Sequence, residues 1–409
     1  EQSNQPVKIT ESAYFIYNGE IFNFRDFGNF GSDTLMLRKM LSEFLTMHSN
    51  VDSFRKKLTQ FFNMCNGFFA IAILFKQHVI FLRDRFGEKP LYFYIDTKNH
   101  DFSAGSEIKA LKMLHKGVEV DANELKRYSD DPFDFCQSEI SNALYTTSYA
   151  KIYELRPGHI FSLSLDSFSF QSSEWYDLSA DIEKYSDTDI YELVNNAISI
   201  RCKSDAPGCF SLSGGVDSSL LVSLAKANGE RCNTFSIISA NEHYSELSAI
   251  EKVVGADIET STLIYESEHL KSITYKDIIS NIQHLDYPYF DPLIVQDLLY
   301  SKMKAENYKF AIDGHGADEL FSGYQWHFPP IIAGNLARGK VINAYRPLRY
   351  FLNSWPDNYS KLSKLVTLTR GIKHYFFHSE NNTFFGVQPD RDQRIRFNEV
   401  FGRVLLRLL

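Results

Sequence analysis

The chain has 409 residues, of which 44% are hydrophobic, and a formal net charge of −8 at pH 7. This composition fits a globular protein of two or three domains. The negative charge and the lack of a basic run exclude nucleic-acid binding as the default function. Five scattered cysteines without a CxxC pair indicate reduced thiols and a cytoplasmic location, not a disulfide framework or a zinc site. No signal segment precedes the first strand, and no apolar run is long enough to span a membrane.

Short apolar or alternating runs dominate the first 180 residues and predict β-strands. They cover residues 13–17, 67–75, 78–82 and 90–94. Residues 34–48 instead space Leu, Met and Phe as a helix does, and Ser32 with Asp33 would cap its start. Strands with interposed helices predict a layered α+β domain.

Five segments of this region follow one another as recognisable motifs. They are Asn18-Gly19-Glu20-Ile21-Phe22-Asn23, Gly31-Ser32-Asp33-Thr34, and residues 66–70, 83–92 and 103–111. In this order they resemble the glutaminase half of the glutamine-hydrolysing asparagine synthetases. The resemblance implies a class II glutamine amidotransferase domain over residues 1–180, with a layered αββα fold like that of the N-terminal-nucleophile hydrolases.

The same resemblance implies a glutamine-binding site. In the family the pair equivalent to Asn18 and Gly19 forms the oxyanion hole for the side-chain amide of glutamine. The residues equivalent to Glu20 and Asp33 hold the amino-acid end of the substrate. The chemistry agrees, because N–H donors stabilise a tetrahedral oxyanion and carboxylates pair with an α-ammonium group. Arg83, Asp84 and Arg85 lie inside a motif as well, and we expect them to shape the end of the sheet.

The family's glutaminase nucleophile is an N-terminal cysteine, and no cysteine of this chain matches it by position. Cys65 lies just before a core strand and is expected to be a small buried hydrophobic residue. The upstream arginine segment of the family is absent too. Either the chain omits an N-terminal stretch or this homologue has lost glutaminase activity, and the presence of Asn18, Glu20 and Asp33 favours omission.

The stretch from residue 209 to residue 229 predicts a strand, a phosphate-binding loop and a helix closed by Gly229. Gly214 and Gly215 let backbone N–H groups approach an anion, the hydroxyls of Ser213 and Ser218 can donate, and the helix N-terminus adds its positive dipole end. A carboxylate here would repel phosphate unless a divalent cation lay between them, so we interpret Asp217 as a Mg²⁺ ligand. The alternative is a Gly/Ser turn that binds nothing.

This loop lacks the Gly-Lys-Ser/Thr of the Walker motif. Its pattern, Ser-Gly-Gly-x-Asp-Ser, resembles the pyrophosphate loop of the ATP pyrophosphatases, which adenylate a substrate. Further β runs at residues 234–238 and 260–264 flank a helical pattern at 245–254, and a helix is predicted from 189 to 200. This alternation predicts a doubly wound parallel sheet over residues 181–409, with ligands at the carboxyl ends of its strands. By the resemblance, the backbone at Ser211 and Ile237 receives the adenine.

Two later segments continue the resemblance to the synthetase half of the family. Residues 284–292 match loosely, with Tyr287 and Phe290 at positions where the family usually has glutamate and alanine. Residues 310–324 match closely. Within them Asp313 and Gly314 are expected to contact the nucleotide, Asp318 is the expected second Mg²⁺ ligand, and His315 and Glu319 are the catalytic candidates.

His315 departs from the family, in which aspartate or glutamate is frequent at this position. An imidazole there could act as a base, donate a hydrogen bond, or be structural. Residues 325–409 predict a helical, aromatic-rich part. The family's later lysine-bearing loop is not found, so we expect the chain to lack both termini of the family.

The resemblance implies an ATP- and Mg²⁺-dependent amide ligase. It would make asparagine from aspartate, glutamine or ammonia, and ATP through an acyl-adenylate, releasing AMP and pyrophosphate. One alternative is the same chemistry on another carboxylate, such as a sugar uronate or a lactam precursor. The other is a catalytically silent regulatory homologue. The expected partners are small molecules, with neither nucleic acid nor membrane, and a homodimer stays open.

Overall fold

The computed structural model describes most of the chain. The described residues are 4–47, 50–130, 136–177, 189–239, 241, 245–255, 261–265, 273–285, 293–321, 323–324, 327–353, 364 and 368. Two compact units divide the chain. The first consists of Glu1–Ala206 with Tyr265–Asn307, and the second of Pro207–Ile264 with Tyr308–Leu409.

The first unit begins with strands and helices in alternation and ends in helices. In chain order its elements are β1 (Val7–Thr10), β2 (Ala13–Ile21), a 3-10 turn (Phe24–Phe27), α1 (Asp33–Met47), α2 (Val51–Met64), β3 (Gly67–Phe75), β4 (His78–Arg83), β5 (Tyr92–Asp96), β6 (Asp101–Gly105), α3 (Ile108–Leu114), α4 (Ala122–Asp130), β7 (Leu144–Thr146), β8 (Ile152–Leu155), β9 (His159–Ser164), β10 (Ser169–Glu174) and α5 (Ile190–Cys202).

A six-stranded antiparallel sheet, in the order β1-β2-β3-β4-β9-β10, forms the centre of this unit. In β2 the residues Ala13, Phe15 and Tyr17 are buried, whereas Ile16 and Asn18 point the other way, as the two-residue period of a strand requires. The buried residues pack against the apolar faces of α1 and α2 in the main hydrophobic core. Helices therefore cover one face of the sheet.

The other face of this sheet packs on a second antiparallel sheet, β6-β5-β8-β7. Phe81 and Phe161 of the first sheet lie in one core with Phe93 and Leu155 of the second. The outer face of the second sheet is covered by α3, through Ile108 and its neighbours. The unit is thus built of four layers in the order helix, sheet, sheet, helix.

The second unit contains a four-stranded sheet in the order β13-β12-β11-β14, in which β11 pairs in parallel with both of its neighbours. Its elements are β11 (Gly208–Ser211), α6 (Val216–Ala227), β12 (Thr234–Ile238), α7 (Leu247–Val254), β13 (Ser261–Tyr265), β14 (Phe310–Ile312), α10 (Ala317–Phe321), α11 (Phe328–Ala337) and α12 (Val341–Asn353). Two helices that group with the first unit, α8 (Tyr275–Leu285) and α9 (Leu293–Ala305), precede β14 in the chain.

The predicted combination of a layered α+β part with a parallel sheet is confirmed. The helix expected at residues 34–48 occupies Asp33–Met47, and the helix expected between the phosphate loop and Gly229 occupies Val216–Ala227 with Gly215 as its N-cap. Helix α2 was not predicted. Of the segment at 284–292, residues 286–292 lie outside the described part. Within the described part, no helix is long and apolar enough to cross a membrane.

Candidate functional site

The tripeptide Asn18-Gly19-Glu20 lies in the last part of β2, paired with residues 68–70 of β3. Gly19 faces β3 so closely that a Cβ atom would overlap the carbonyl oxygen of Phe68 and lie 2.7 Å from the Cα of Phe69. Only glycine fits there. The tripeptide is therefore held on a rigid strand, and Asn18 itself is exposed to solvent.

Asp33, the first residue of α1, is joined to both ends of this tripeptide. Its Oδ2 accepts a hydrogen bond from the Tyr17 hydroxyl at 2.7 Å and another from the Ile21 backbone N–H at 3.1 Å. Its Oδ1 accepts from the Thr34 N–H at 2.6 Å. The structure thus brings Asp33 beside the stretch of β2 that carries Asn18, Gly19 and Glu20.

Glu20 has two other carboxylates, those of Asp33 and Asp205, within electrostatic reach. Partial burial, helped by the charges of Asp33 and Asp205, raises the pKa of the Glu20 carboxyl. Two residues after Glu20, the Phe22 ring carries the Arg201 guanidinium 4.9 Å from its centre. The Glu20 and Asp33 carboxylates thus lie within electrostatic reach of each other near one strand end, and paired carboxylates favour a cation such as an ammonium group.

Cys65 is not a nucleophile for this site. Its side chain is 1% exposed, its thiol lies 3.5 Å from the Phe61 carbonyl oxygen, and burial raises its pKa to about 12. A thiol with such a pKa carries almost no thiolate at neutral pH. The expectation of a small buried hydrophobic residue is confirmed.

Asp84 organises the end of the sheet next to this site. Its buried carboxylate accepts backbone N–H groups from Phe69 at 3.2 Å, Phe86 at 3.1 Å, Glu88 at 3.0 Å and Lys89 at 3.0 Å. The neighbouring Arg83 guanidinium donates to the carbonyls of residues 87, 89 and 155 and to the Glu154 carboxylate. The structural role expected of this charge cluster is confirmed.

In the second unit the predicted phosphate loop lies at the carboxyl end of β11. Gly214 has a φ of +90°, and Gly215 caps α6 with extended backbone. The hydroxyls of Ser213 and Ser218 lie 3.0 Å apart, and Ser213 Oγ also accepts the Gly215 N–H at 3.2 Å. The loop is therefore already closed around two hydroxyls at the start of a 12-residue helix, where an anion is favoured.

A second loop, between β14 and α10, packs directly on the first. A Cβ atom on Gly314 would lie 3.2 Å from the Cβ of Asp217 and 3.3 Å from the Ser218 nitrogen. Asp313 in this loop accepts from the His315 backbone N–H at 3.2 Å, and its Oδ1 lies 2.9 Å from His315 Nδ1. The His315 ring is thus oriented by Asp313, with most of its surface exposed.

The two expected metal ligands lie within electrostatic reach of each other. Burial, with the charge of Asp318 adding to it, raises the pKa of Asp217. Two carboxylates beside a phosphate loop match the way proteins hold Mg²⁺, with one or two acids and with substrate phosphates completing the shell. The donor set therefore fits the ion. Within the described residues, no group of three or more His, Cys, Asp or Glu side chains could bind a metal alone.

For the remaining predicted residues of the second unit, the structure gives a position on a strand or helix. Ser211 ends β11 and pairs with Phe235, so Ile237 lies two residues further along the adjacent strand β12. Glu319 follows Asp318 in α10, and its side chain is exposed. Both adenine candidates thus lie at the carboxyl edge of the sheet.

Two residues of this region were not predicted. His327 is 1% exposed. Burial lowers its pKa, and the charges of Glu319 and Asp318 offset part of this effect by raising it. Glu246 lies over the loop, 2.8 Å from where a Cβ on Gly214 would be. His327 could have been suspected from the sequence, because it follows the motif's Tyr324 by three residues. No local sequence pattern predicts a role for Glu246.

Two family profiles match the chain. The one described as asparagine synthase covers residues 189–376, and the one described as a glutamine amidotransferase domain covers residues 1–176. Asparagine synthetase [glutamine-hydrolyzing] 1 of Bacillus subtilis is 26% identical over 346 residues, covering 81% of this chain and 51% of the relative. Asparagine synthetase [glutamine-hydrolyzing] 3 of the same organism is 27% identical over 358 residues, covering 80% and 54%.

The chain therefore spans about half the length of these curated relatives. Among solved structures, glutamine phosphoribosylpyrophosphate amidotransferase from B. subtilis, complexed with ADP and GMP, aligns with 14% identity. The alignment covers 67% of this chain and 54% of that one, with a TM-score of 0.28.

Proposed function

This chain belongs to the glutamine-hydrolysing asparagine synthetase family, and from that premise we propose that its gene product makes asparagine from aspartate, glutamine and ATP. Residues 1–180 would be the glutaminase domain, with the fold of the N-terminal-nucleophile hydrolases. Residues 181–409 would be the ATP-pyrophosphatase domain. Ammonia released by the first domain, or taken from solution, would be the nitrogen source for the second.

The observation that supports this proposal most directly is the closed loop with an acid pair beside it. Ser213 and Ser218 present hydroxyls at a helix N-terminus, and Asp217 and Asp318 share an electrostatic site next to them. A plain phosphate-binding loop has no use for two acids. They fit a loop that handles the pyrophosphate of Mg·ATP, because proteins hold Mg²⁺ with one or two carboxylates together with substrate phosphates.

The proposed reaction begins when an oxygen of the aspartate β-carboxylate attacks the α-phosphorus of ATP. The bond from that phosphorus to the bridging oxygen of pyrophosphate breaks, and the loop N–H groups with the hydroxyls of Ser213 and Ser218 stabilise the leaving group. Mg²⁺ held by Asp217 and Asp318 would supply charge neutralisation for the phosphates. The adenine would rest against the backbone of Ser211 and Ile237.

The second loop would complete the nucleotide site and carry the next step. Gly314 approaches Asp217 and Ser218 without a side chain in the way, and Asp313 orients the His315 ring through Nδ1. That orientation leaves Nε2 as the atom that can take a proton from ammonia as its nitrogen attacks the acyl carbonyl. AMP then leaves.

The glutaminase half would bind glutamine on β2. Asn18 and the Gly19 N–H would stabilise the oxyanion formed from the side-chain amide, and Glu20 with Asp33 would hold the α-ammonium group. Glu319, exposed beside Asp318, is proposed as a second catalytic carboxylate of the synthetase half.

Another acceptor carboxylate is the competing proposal, and His315 is the described residue that favours it. Its imidazole replaces a negative charge that many relatives place beside the acyl-adenylate. The pocket would therefore accept an acceptor substrate other than aspartate. Tyr287 and Phe290, which also suggested this alternative, lie outside the described residues. A single assay that compares aspartate with other carboxylates as substrates distinguishes the two proposals.

The test is pyrophosphate release by the full-length gene product with Mg·ATP, comparing L-aspartate with other carboxylates and glutamine with ammonium. Asp217→Asn should lower aspartate-dependent pyrophosphate release about 100-fold, because a group that acts on the leaving phosphates is lost. Glu251→Gln is the matched control, since it removes one exposed charge from α7 and should leave the rate unchanged.

Asparagine formed with both nitrogen sources is the expected result. Asparagine formed only from ammonium would leave the ligase proposal in place and remove the glutaminase proposal. Pyrophosphate released with a uronate or a β-amino acid, and not with aspartate, would establish the competing acceptor. No pyrophosphate with any carboxylate would refute the ligase.

A further inference from the structure

Tyr17 immediately precedes the tripeptide Asn18-Gly19-Glu20, and its phenol is directed into the core. It is 6% exposed, and its hydroxyl donates to Asp33 Oδ2 at 2.7 Å. Burial and the charge of Asp33 raise the pKa of Tyr17 far above its ordinary value. The hydroxyl therefore stays protonated at physiological pH and donates its hydrogen to Asp33.

The hydrogen bonds around Asp33 form a clamp on the tripeptide. One oxygen, Oδ2, binds the residue before the tripeptide through the Tyr17 hydroxyl and the residue after it through the Ile21 N–H at 3.1 Å. Because these two donors fix Oδ2, and the Thr34 N–H fixes Oδ1 at 2.6 Å, the carboxylate plane cannot rotate. The first turn of α1 is thereby tied to β2.

The backbone of Tyr17 is itself fixed from the other side. The Gln5 side chain donates to the Tyr17 carbonyl oxygen at 2.6 Å and accepts the Tyr17 N–H at 2.6 Å, as a further strand would. Both the peptide and the phenol of Tyr17 are thus immobile. A donor held this firmly orients its acceptor at little entropic cost.

We infer that Tyr17 is a positioning residue for the amino-acid end of glutamine, and that through Asp33 it selects ligands that carry an α-ammonium group. The inference rests on the proposed glutamine site. With the hydroxyl present, the Asp33 carboxylate is held where its charge acts on Glu20, so that the two acids can share one ammonium group. Without it, Oδ2 loses its shortest hydrogen bond, and the carboxylate can turn away from the ligand.

The experiment compares two ligands on the full-length gene product by ligand-observed NMR titration: L-glutamine, and 4-carbamoylbutanoate, which is glutamine without its amino group. Tyr17→Phe removes one hydroxyl from a filled site and should weaken glutamine binding about tenfold, the usual effect of one hydrogen bond to a charged group. Binding of 4-carbamoylbutanoate should change less than about twofold. Tyr14→Phe, on the opposite face of the same strand, should change neither.

Equal weakening of both ligands by Tyr17→Phe would mean that the phenol only supports the fold, and unchanged glutamine binding would mean that it does not act at all. Either result overturns the inference. If Tyr17→Phe does not fold, Asp33→Asn takes its place: it must weaken glutamine at least tenfold and bring the two ligands to similar affinity. Failure of the unsubstituted protein to bind glutamine would instead refute the proposed glutamine site, and the inference with it.

Discussion

Replacement of Asp84 by asparagine should destabilise the first unit severely, although the two side chains have nearly the same shape. The carboxylate accepts four backbone N–H groups, from residues 69, 86, 88 and 89. Asparagine keeps one acceptor oxygen and places an NH₂ group against two of these donors. Each buried donor left without an acceptor costs about 1–3 kcal/mol, so the expected loss is about 2–6 kcal/mol in the free energy of unfolding.

The assay for Asp84→Asn is urea unfolding followed by tryptophan fluorescence. Trp175 is a suitable reporter, because its indole N–H donates to the Arg83 carbonyl oxygen at 3.2 Å and its ring stacks with Phe69. Asp52→Asn is the control, since that side chain is 81% exposed and its nearest cation is 3.9 Å away, and no measurable change is expected. A loss below about 1 kcal/mol for Asp84→Asn would show that the four hydrogen bonds do not hold the sheet end.

Three further predictions use single side chains. Gly214→Ala should abolish nucleotide binding measured by calorimetry, because φ is +90° and the added Cβ would lie 2.8 Å from the Cβ of Glu246. Gly229 has a similar φ of +82° but open space around it, so Gly229→Ala should only lower the free energy of unfolding, by about 1 kcal/mol. Burial lowers the pKa of His159, so the unfolded chain binds more protons than the folded chain does. The free energy of unfolding should therefore fall as the pH drops below 6.5. In His159→Gln the midpoint of urea unfolding should depend less on pH over this range. With Ellman's reagent, Cys136 should react in the folded protein and Cys65 only after unfolding, because the first is exposed and the second buried; fast reaction of both would contradict the buried assignment.

Local patterns sufficed to predict the strand, loop and helix around residues 213–218. Two glycines between a strand and a helix restrict the backbone to a few conformations, and the loop with Ser213 and Ser218 follows from the sequence alone. The approach of Asp318 to Asp217 could also be predicted, because β11 and β14 are parallel and their carboxyl ends share one edge of the sheet.

Contacts between distant segments could not be predicted in this way. The clamp of Tyr17 on Asp33 depends on where α1 docks against β2, and the four donors around Asp84 come from a strand and a turn that meet only in the folded sheet. Nothing in the local spacing reveals such a meeting, since each partner alone has an ordinary composition. Helix α2 was missed for a related reason: its buried face is made of Phe54, Phe61 and Phe62, and aromatic residues are typical of strands.

The two sites prepare for their ligands in different physical ways. The proposed glutamine site would be rigid, since Asp33 is fixed by hydrogen bonds on both oxygens and would receive an ammonium group without rearranging. At the proposed nucleotide site like charges repel each other instead: burial and the charge of Asp318 raise the pKa of Asp217, and the charge of phosphate alone would add to that repulsion. A divalent cation removes it, because it places positive charge between the acids and the phosphates. Nucleotide and cation should therefore bind with positive cooperativity at this loop, whereas glutamine binding should be independent of either.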